Sequence, residues 1–223
     1  MGMFKRCNLC GGPIFRIQRG PFGTRCIFCL STFVHRAMGI VLDSMQLKDD
    51  ITVYELSAHG ALFKYLKKHF MNLTHSEYFD SIPAGTHHKG TICQNVQHLT
   101  FEDERFDLVT STEVFEHVAN DRLGFREVNR VLKNGGYFVF TVPLSLKEKT
   151  VERAIVENGQ TKHLLPPTYG GDPLRKQGII DFRNYGMDIV ERLGKAGFPH
   201  VEIREVKNMK HMIPCKHVIL AKK

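Results

Sequence analysis

Apolar and polar positions between residues 51 and 220 form short buried runs and longer amphipathic stretches. Short apolar or β-branched runs predict strands over residues 51–56, 72–77, 91–95, 106–111, 137–142, 200–206 and 217–220. Helical spacing predicts helices over residues 62–70, 122–132 and 184–196. Strands that alternate with helices indicate a doubly wound α/β sheet, and the last two strands are expected to form an antiparallel pair.

Four of the six cysteines precede this region and lie in two pairs. Cys7 and Cys10 form one Cys-x2-Cys turn, and Cys26 and Cys29 form a second turn after fifteen intervening residues. Each turn directs two thiolates to one centre, so two turns complete a tetrahedron and predict a zinc site. An iron–sulfur cluster and a redox dithiol pair are the alternatives. A structural metal suits residues 1–36, because so short a zinc-ribbon-like module buries little apolar surface alone.

The positive charge is concentrated at the N-terminal end of the chain. Six basic residues and no acidic residue precede Asp43, whereas the rest of the chain carries 25 basic and 23 acidic residues. Four thiolates on Zn²⁺ would lower the net charge of the module from +6 to about +4. An apolar stretch within residues 37–50 predicts a linking helix between this module and a main domain at 51–223. The charge excess makes an anionic partner one hypothesis.

Length and composition exclude several classes of protein. The chain has 223 residues, of which 42% are hydrophobic, so it can bury a domain-sized core. No run of 18 apolar residues occurs, which excludes a helical membrane span. Cys7 precedes any apolar signal region, so no secretory signal is expected and a cytoplasmic location is predicted.

Ligands of doubly wound sheets bind beyond the carboxyl ends of the strands, and polar residues follow several of the predicted strands. Glu55 is followed by small residues and Gly60 before a helix begins. Glu77 ends the second strand, where a carboxylate is placed to accept hydrogen bonds from ribose hydroxyls. The third strand ends at residues 95–97, and the fourth runs into residues 110–118.

The blocks at residues 53–56, 76–77, 99–101, 106–118 and 130–136 together resemble the class I S-adenosylmethionine-dependent methyltransferases. The resemblance implies a Rossmann-like, seven-stranded methyltransferase sheet and S-adenosylmethionine as cofactor. It also implies the cofactor-binding residues, which are Glu55, Leu56, Ser57, Ala58 and Gly60 at the methionine part, Glu77 with Tyr78 at the ribose, Asn95 and Val96 at the adenine, and Thr112 with Glu113 near the sulfonium. Ser57 and His59 depart from the family, which usually has glycines in this loop.

Two hypotheses concern the chemistry that follows the fourth strand. His117 is placed on the cofactor side of the sheet, where it could act as the base that deprotonates an oxygen acceptor. The segment Glu113-x-x-Glu116-His117 also resembles the Mg²⁺-binding motif of some methyltransferases, and two carboxylates suit a hard cation. In many other members of the family these glutamates cap the helix and contact neighbouring loops without a metal.

Residues 144–183 form a connection too long for a simple turn, which predicts a substrate-binding lid or cover. Its prolines stiffen the chain and its glycines allow hinging. Candidate hydrogen-bonding residues for a polyol acceptor are His163, Tyr169 and Asp172, with Tyr185 near the same mouth. A surface cover without substrate contacts is the alternative.

Three functions follow from these observations. The first is methyl transfer to a small-molecule or glycan-linked acceptor, with a hydroxyl expected. The four-cysteine prefix, with residues 22–26 and His35-Arg36, resembles a bacterial subgroup associated with surface-polysaccharide biosynthesis. The second is RNA methylation, with the basic module docking the nucleic acid. The third is a non-catalytic, zinc-dependent binding protein on a methyltransferase scaffold. The oligomeric state stays open.

Overall fold

The computed structural model describes residues 5–17, 23–172 and 174–223. Residues 18–22, within the predicted module, and Pro173, within the predicted cover, lie outside the described residues. The N-terminal module contains a hairpin of strands β1 (Ile14–Arg16) and β2 (Thr24–Cys26), which pair antiparallel. Helix α1 (Phe33–Ser44) follows, so the linking helix begins before residue 37 and ends before residue 50.

The main sheet has eight strands of ten residues or fewer, and helices separate several of them along the chain, as expected for an α/β domain. Its strands are β3 (Thr52–Glu55), β4 (Asn72–Glu77), β5 (His87–His88), β6 (Thr91–Cys93), β7 (Phe106–Thr112), β8 (Leu132–Thr141), β15 (His200–Asn208) and β16 (Ile213–Lys222). Between β8 and β15 lie the short strands β9 (Val151–Glu152), β10 (Ala154–Glu157), β11 (Gln160–His163), β12 (Tyr169–Gly170), β13 (Ile179–Ile180) and β14 (Arg183–Asn184). Helices α2 (Gly60–His69), α3 (Asp121–Val131) and α4 (Ile189–Lys195) complete the domain.

Neighbouring strands of the sheet follow the order β15-β16-β8-β7-β3-β4-β6-β5. Strands β8, β7, β3, β4 and β6 run parallel, so their carboxyl ends meet at one edge. Strands β15 and β16 pair antiparallel with each other, as predicted, and β16 pairs antiparallel with β8. The two-residue strand β5 is an addition to the seven predicted strands. The predicted doubly wound α/β sheet with an antiparallel last pair is therefore confirmed.

Each face of the sheet carries its own apolar core. On one face, α1 and α2 pack over Val53, Leu108 and Val139, and the same cluster includes Leu9 and Ile14 of the module. On the other face, α3 and α4 pack over an aromatic cluster in which Phe115 stacks on Phe125. The N-terminal module is thus continuous with the domain core on the α1 side.

Two elements begin five residues away from their predicted starts, which are the largest such differences from the sequence-based prediction. Helix α4 begins at Ile189 rather than at residue 184, because Arg183 and Asn184 pair with β9 instead. Strand β8 begins at Leu132 rather than at residue 137, and Gly135, with a φ of +80°, lies within it where the β7–β8 ladder changes register. Both differences arise from long-range pairing, which overrides local helix and turn signals.

None of the helices in the described part of the chain is both long and apolar enough to cross a membrane.

Candidate cofactor and acceptor site

Glu55 ends β3 at the carboxyl edge of the sheet and is almost fully buried. Its carboxylate accepts hydrogen bonds from the Thr110 hydroxyl of β7 and from the backbone amide of Ser57. Burial raises the pKa of the Glu55 carboxyl to about 8, and the nearby Glu77 adds to the rise. A carboxyl in this state is mostly neutral at pH 7 until a cation comes close.

The backbone of the loop between β3 and α2 is accessible to a ligand, although Ser57 and His59 stand where the family usually has glycines. The Leu56 amide donates to the Thr110 carbonyl at 3.1 Å, and the Ser57 hydroxyl accepts from the His59 amide at 3.3 Å. The His59 side chain is exposed. Gly60 has a φ of +89°, and a Cβ there would meet only the His35 imidazole, 3.8 Å away. The loop thus leaves room for a ligand to approach the backbone.

Glu77 ends β4, where its carboxylate accepts from the Tyr78 amide at 3.2 Å and from the Ala58 amide. Burial raises the pKa of this carboxyl above its ordinary value. The bond to Ala58 links the β3 loop to the end of β4. The two segments predicted to hold the methionine and ribose parts of the cofactor therefore meet at Glu77.

The segment predicted to bind the adenine is a turn that is stabilised by hydrogen bonds from its own side chains. Asn95 accepts hydrogen bonds through Oδ1 from the Gln97 amide at 3.0 Å and from Gln97 Nε2 at 3.2 Å. Gln97 Oε1 in turn accepts from the Asn120 amide at 2.9 Å. Val96 lies close to Gly124 of α3. Asn95 therefore shapes the loop, and Val96 offers an apolar wall at the same edge.

Buried polar atoms without partners gather where β7 and β8 end. Among the described residues, unpartnered buried side-chain atoms include those of Ser111, Thr112, Glu116 and Thr141 at this edge. Buried polar groups are almost always hydrogen-bonded, so an unmet group calls for an explanation. A polar ligand at this edge would supply the missing partners.

The Glu113 and Glu116 carboxylates have different environments. Glu113 lies in the left-handed region with a φ of +51°, and its Oε1 accepts from Lys216 Nζ at 2.8 Å. Glu116 is buried, and burial together with the charge of Glu113 raises its pKa well above the ordinary value. Among the described residues, the clusters that could hold a metal ion do not include Glu113, Glu116 or His117. The Mg²⁺ hypothesis is therefore unsupported.

His117 lies in a short 3-10 helix (Phe115–His117) and is held in one orientation. Its Nδ1 lies 2.9 Å from the Ile180 carbonyl and 3.2 Å from Asp181 Oδ1, so it donates a proton toward both acceptors. Nε2 then carries the lone pair and lies 3.9 Å from Glu116 Oε1. A Cβ at Gly170 would approach Nε2 to 2.7 Å, so β12 closely covers the ring.

Residues 144–183 form a cover of small hairpins, in which β10 pairs with β11, β12 with β13, and β9 with β14. His163 and Tyr169 are exposed on this cover. Asp172 binds Arg175, and its carboxylate also accepts the Leu174 amide at 2.6 Å. Tyr185 is buried, and its hydroxyl donates to Asp121 Oδ2 at 2.9 Å, so it stabilises the domain core and offers no free hydroxyl.

Three residues that the sequence did not single out join this site. Asp181 orients His117, and Lys216 pairs with Glu113. Arg175 reaches from the cover to both carboxylate oxygens of Asp80, at 2.8 and 2.9 Å, and its guanidinium lies over the Tyr78 ring. The cover is therefore tied to the end of β4, where Glu77 and Tyr78 lie.

The four N-terminal cysteines converge as the spacing predicts. Their sulfur atoms all lie within 4.8 Å of one another, with Cys7 and Cys29 3.7 Å apart and Cys10 and Cys26 3.3 Å apart. A tetrahedral Zn²⁺ with Zn–S bonds of about 2.3 Å requires sulfur separations of about 3.8 Å. The cluster has the size of a four-thiolate zinc site.

The pKa of Glu55 predicts a pH dependence of stability. Because the folded-state pKa lies above the unfolded value, this carboxyl destabilises the fold progressively as the pH rises from about 4.5 to about 8. Each pH unit in that window lowers the free energy of unfolding by about 1.4 kcal/mol. Glu55→Gln should remove this slope, as measured by urea unfolding at pH 5, 6, 7 and 8. Equal slopes in the two proteins would show that Glu55 ionises normally.

Comparison with known proteins identifies the domain. Residues 56–140 match the model of a methyltransferase domain family. An uncharacterized protein of Methanocaldococcus jannaschii is 24% identical over 170 residues, which cover 67% of this chain and 75% of that protein. The range matched by the family model includes the loops that follow β3, β4, β6 and β7.

Solved structures share the fold at low sequence identity. An S-adenosylmethionine-dependent methyltransferase from Mesorhizobium loti superposes with a TM-score of 0.54 and 16% identity, covering 84% of this chain and 98% of the other. The Burkholderia thailandensis 1,6-didemethyltoxoflavin-N1-methyltransferase, with S-adenosylhomocysteine bound, superposes with a TM-score of 0.53 and 13% identity, covering 86% and 78% of the two chains. Residues 56–140 therefore form a methyltransferase domain, and the chain has the fold of S-adenosylmethionine-dependent methyltransferases.

Proposed function

We propose that the protein methylates a hydroxyl group of a small-molecule or glycan-linked acceptor, with His117 as the base. The observation that carries the proposal is the fixed orientation of His117. Its Nδ1 proton is directed at the Ile180 carbonyl and Asp181, which leaves the basic Nε2 at the edge of the parallel strands. A carboxylate that holds an imidazole in this way fixes its tautomer and the orientation of its ring.

The residues at the strand ends suit S-adenosylmethionine, which supplies an electrophilic methyl group when bound. The open backbone at Gly60 and the unpartnered Thr112 hydroxyl support this assignment. Glu55 and the 56–60 loop would hold the methionine part, Glu77 and Tyr78 the ribose, and Asn95 and Val96 the adenine. Because Glu55 is mostly neutral at pH 7, a nearby ammonium group would favour its ionised form.

The cover suits an acceptor with several hydroxyl groups. His163 and Tyr169 expose polar atoms on it, and Asp172 lies close enough to Glu77 to affect its pKa. Transfer of a methyl group is an in-line displacement, so positioning by the cover contributes to the rate. His117 Nε2 would accept the proton that the hydroxyl releases.

Glu77→Ala should weaken binding of S-adenosylmethionine by roughly tenfold or more, because a charge-assisted hydrogen bond contributes about 1.5–3 kcal/mol. The dissociation constant of S-adenosylhomocysteine, measured by calorimetry, checks this. Glu102→Ala, which removes an exposed carboxylate in the loop before β7, serves as the control and should bind normally. An unchanged affinity in Glu77→Ala would place the ribose elsewhere.

We further propose that residues 1–36 form a zinc-ribbon-like module in which Cys7, Cys10, Cys26 and Cys29 hold a structural Zn²⁺. Gly11 and Leu30 follow the two cysteine pairs and both have positive φ, as tight turns around one centre require. Arg36 is buried beside the cluster and donates to the Ser31 carbonyl at 2.6 Å. Its positive charge would offset part of the negative charge of a four-thiolate zinc site.

RNA is a second candidate acceptor, favoured by the surface of the module. Phe28 is 68% exposed, and the basic side chains of Arg6 and Arg16 are exposed on the same module. Bases stack on exposed aromatic rings, and cations bind phosphates. RNA binding that weakens steeply with salt and is lost in Phe28→Ala would support this acceptor, and no binding at low salt would exclude it.

A further inference from the structure

A cluster of three potential metal ligands lies on the β15–β16 hairpin, outside the site described above. Glu205 of β15 lies directly opposite His217 of β16, and Cys215 is two residues from His217 on the same strand. Side chains two residues apart in a strand point to the same face of the sheet. Glu205 Oε2 lies 3.6 Å from both Cys215 Sγ and His217 Nε2, and one ligand atom from each residue lies within 4.8 Å of the others.

The hydrogen bonding of this cluster is incomplete. His217 Nε2 is buried and has no hydrogen-bond partner in the described part of the chain. Lys207 Nζ lies 2.8 Å from Glu205 Oε1, so it neutralises one carboxylate oxygen and leaves Oε2 facing the thiol and the imidazole. The ion pair with Lys207 explains the position of Glu205 Oε1. It does not explain why His217 Nε2, which lacks a hydrogen bond, lies close to Glu205 Oε2.

We propose that Glu205, Cys215 and His217 bind a divalent transition-metal ion of the Zn²⁺ type. A thiolate, an imidazole and a carboxylate are the three donor types that Zn²⁺ accepts in proteins, and three protein ligands leave a fourth position open. The backbone ladder between β15 and β16 holds the donors in register without the ion. An ion here would satisfy His217 Nε2 and bridge the two strands near the end of the hairpin.

The cluster is adjacent in sequence to a residue that contacts the candidate site at the end of β7. Lys216, between the two β16 ligands, binds Glu113 Oε1 and the Val142 carbonyl. An ion that fixes Cys215 and His217 would therefore also restrain the strand segment that carries Lys216. We expect the ion to stabilise the hairpin and the Lys216–Glu113 contact together.

Metal content and Co²⁺ spectroscopy test this site in the full-length protein. After saturation with Zn²⁺ and removal of free metal, the wild type should retain one equivalent more than Cys215→Ser or His217→Ala. His200→Ala, at the exposed start of β15, should retain as much as the wild type. Because the comparison is a difference, it does not depend on the occupancy of the four-cysteine cluster.

Co²⁺ added to wild type that holds Zn²⁺ in the four-cysteine cluster alone should produce a thiolate-to-cobalt absorption band that Cys215→Ser lacks. Glu205→Gln keeps the size of the side chain and should weaken Co²⁺ binding tenfold or more. Circular dichroism of each variant shows whether it has folded. Equal metal content in wild type and all folded variants, or a cobalt band that persists in Cys215→Ser, would overturn the proposal.

Discussion

His117→Ala is expected to lower kcat for a hydroxyl acceptor by about 10²–10⁴ while leaving the affinity for S-adenosylhomocysteine nearly unchanged. The reason is that Nε2 faces the region beneath β12, whereas most of the proposed cofactor-binding residues lie on the loops after β3, β4 and β6. Turnover with labelled S-adenosylmethionine and calorimetry of the product complex provide the two measurements. A rate within a few-fold of the wild type would exclude His117 as the base and favour an acceptor that needs no deprotonation, such as a neutral amine.

A glycine pair provides a matched control for the same residue. A Cβ at Gly170 would lie 2.5 Å from His117 Cε1, whereas a Cβ at Gly171 would meet no atom of the described residues within 4 Å. Gly170→Ala should displace the imidazole and lower kcat, and Gly171→Ala should not. Asp181→Asn should lower kcat, because it removes the carboxylate that holds Nδ1 from 3.2 Å away. Equal rates in the two glycine variants would contradict the geometry assigned to His117.

Loss of the four-cysteine zinc is expected to unfold the N-terminal module and lower the melting temperature of the whole protein by roughly 10 °C or more. Cys26 and Ile14 belong to the same apolar core as Met38 of α1 and Val53 of β3. Structural zinc contributes on the order of 10 kcal/mol to the folding of small zinc-dependent modules. This contribution exceeds the stabilisation that apolar burial within so short a hairpin provides. We expect one equivalent of Zn²⁺ per protein chain, bound by the four cysteines.

Thermal unfolding of Cys26→Ser, with metal analysis of the same sample, measures this effect. Cys93→Ser is the matched control, because Cys93 is also buried but lies in β6, where its thiol donates to the Ile82 carbonyl. The control should keep its zinc and its melting temperature. A Cys26→Ser variant as stable as the wild type, or four rapidly titrating thiols in the native protein, would contradict the zinc assignment.

The sequence predicts most of the sheet because several of its strands are short apolar or β-branched runs bounded by polar loops. Residues 51–56 and 106–111 correspond closely to β3 and β7. The cysteine spacing likewise predicts the converging sulfurs, since the two turns each place a pair locally. These signals are local, so they can be recognised before the fold is known.

The remaining features of the site depend on contacts between distant parts of the chain. Asp181 contacts His117 across more than sixty residues, and Lys216 contacts Glu113 across about one hundred. No spacing in the sequence marks such pairs. The sequence also placed Tyr185 beside the substrate, whereas its hydroxyl binds Asp121 in the core. Long-range packing, which local patterns do not encode, decides each of these positions.

Amide hydrogen exchange with and without S-adenosylhomocysteine tests the location of the cofactor site most directly. The ligand should slow exchange in residues 55–60, 77–78, 95–97 and 112–113, where the strand ends form the proposed site. Exchange in the outer strand β15 should change little. Protection confined to the N-terminal module or to β15, with none in residues 55–60 and 77–78, would contradict the account.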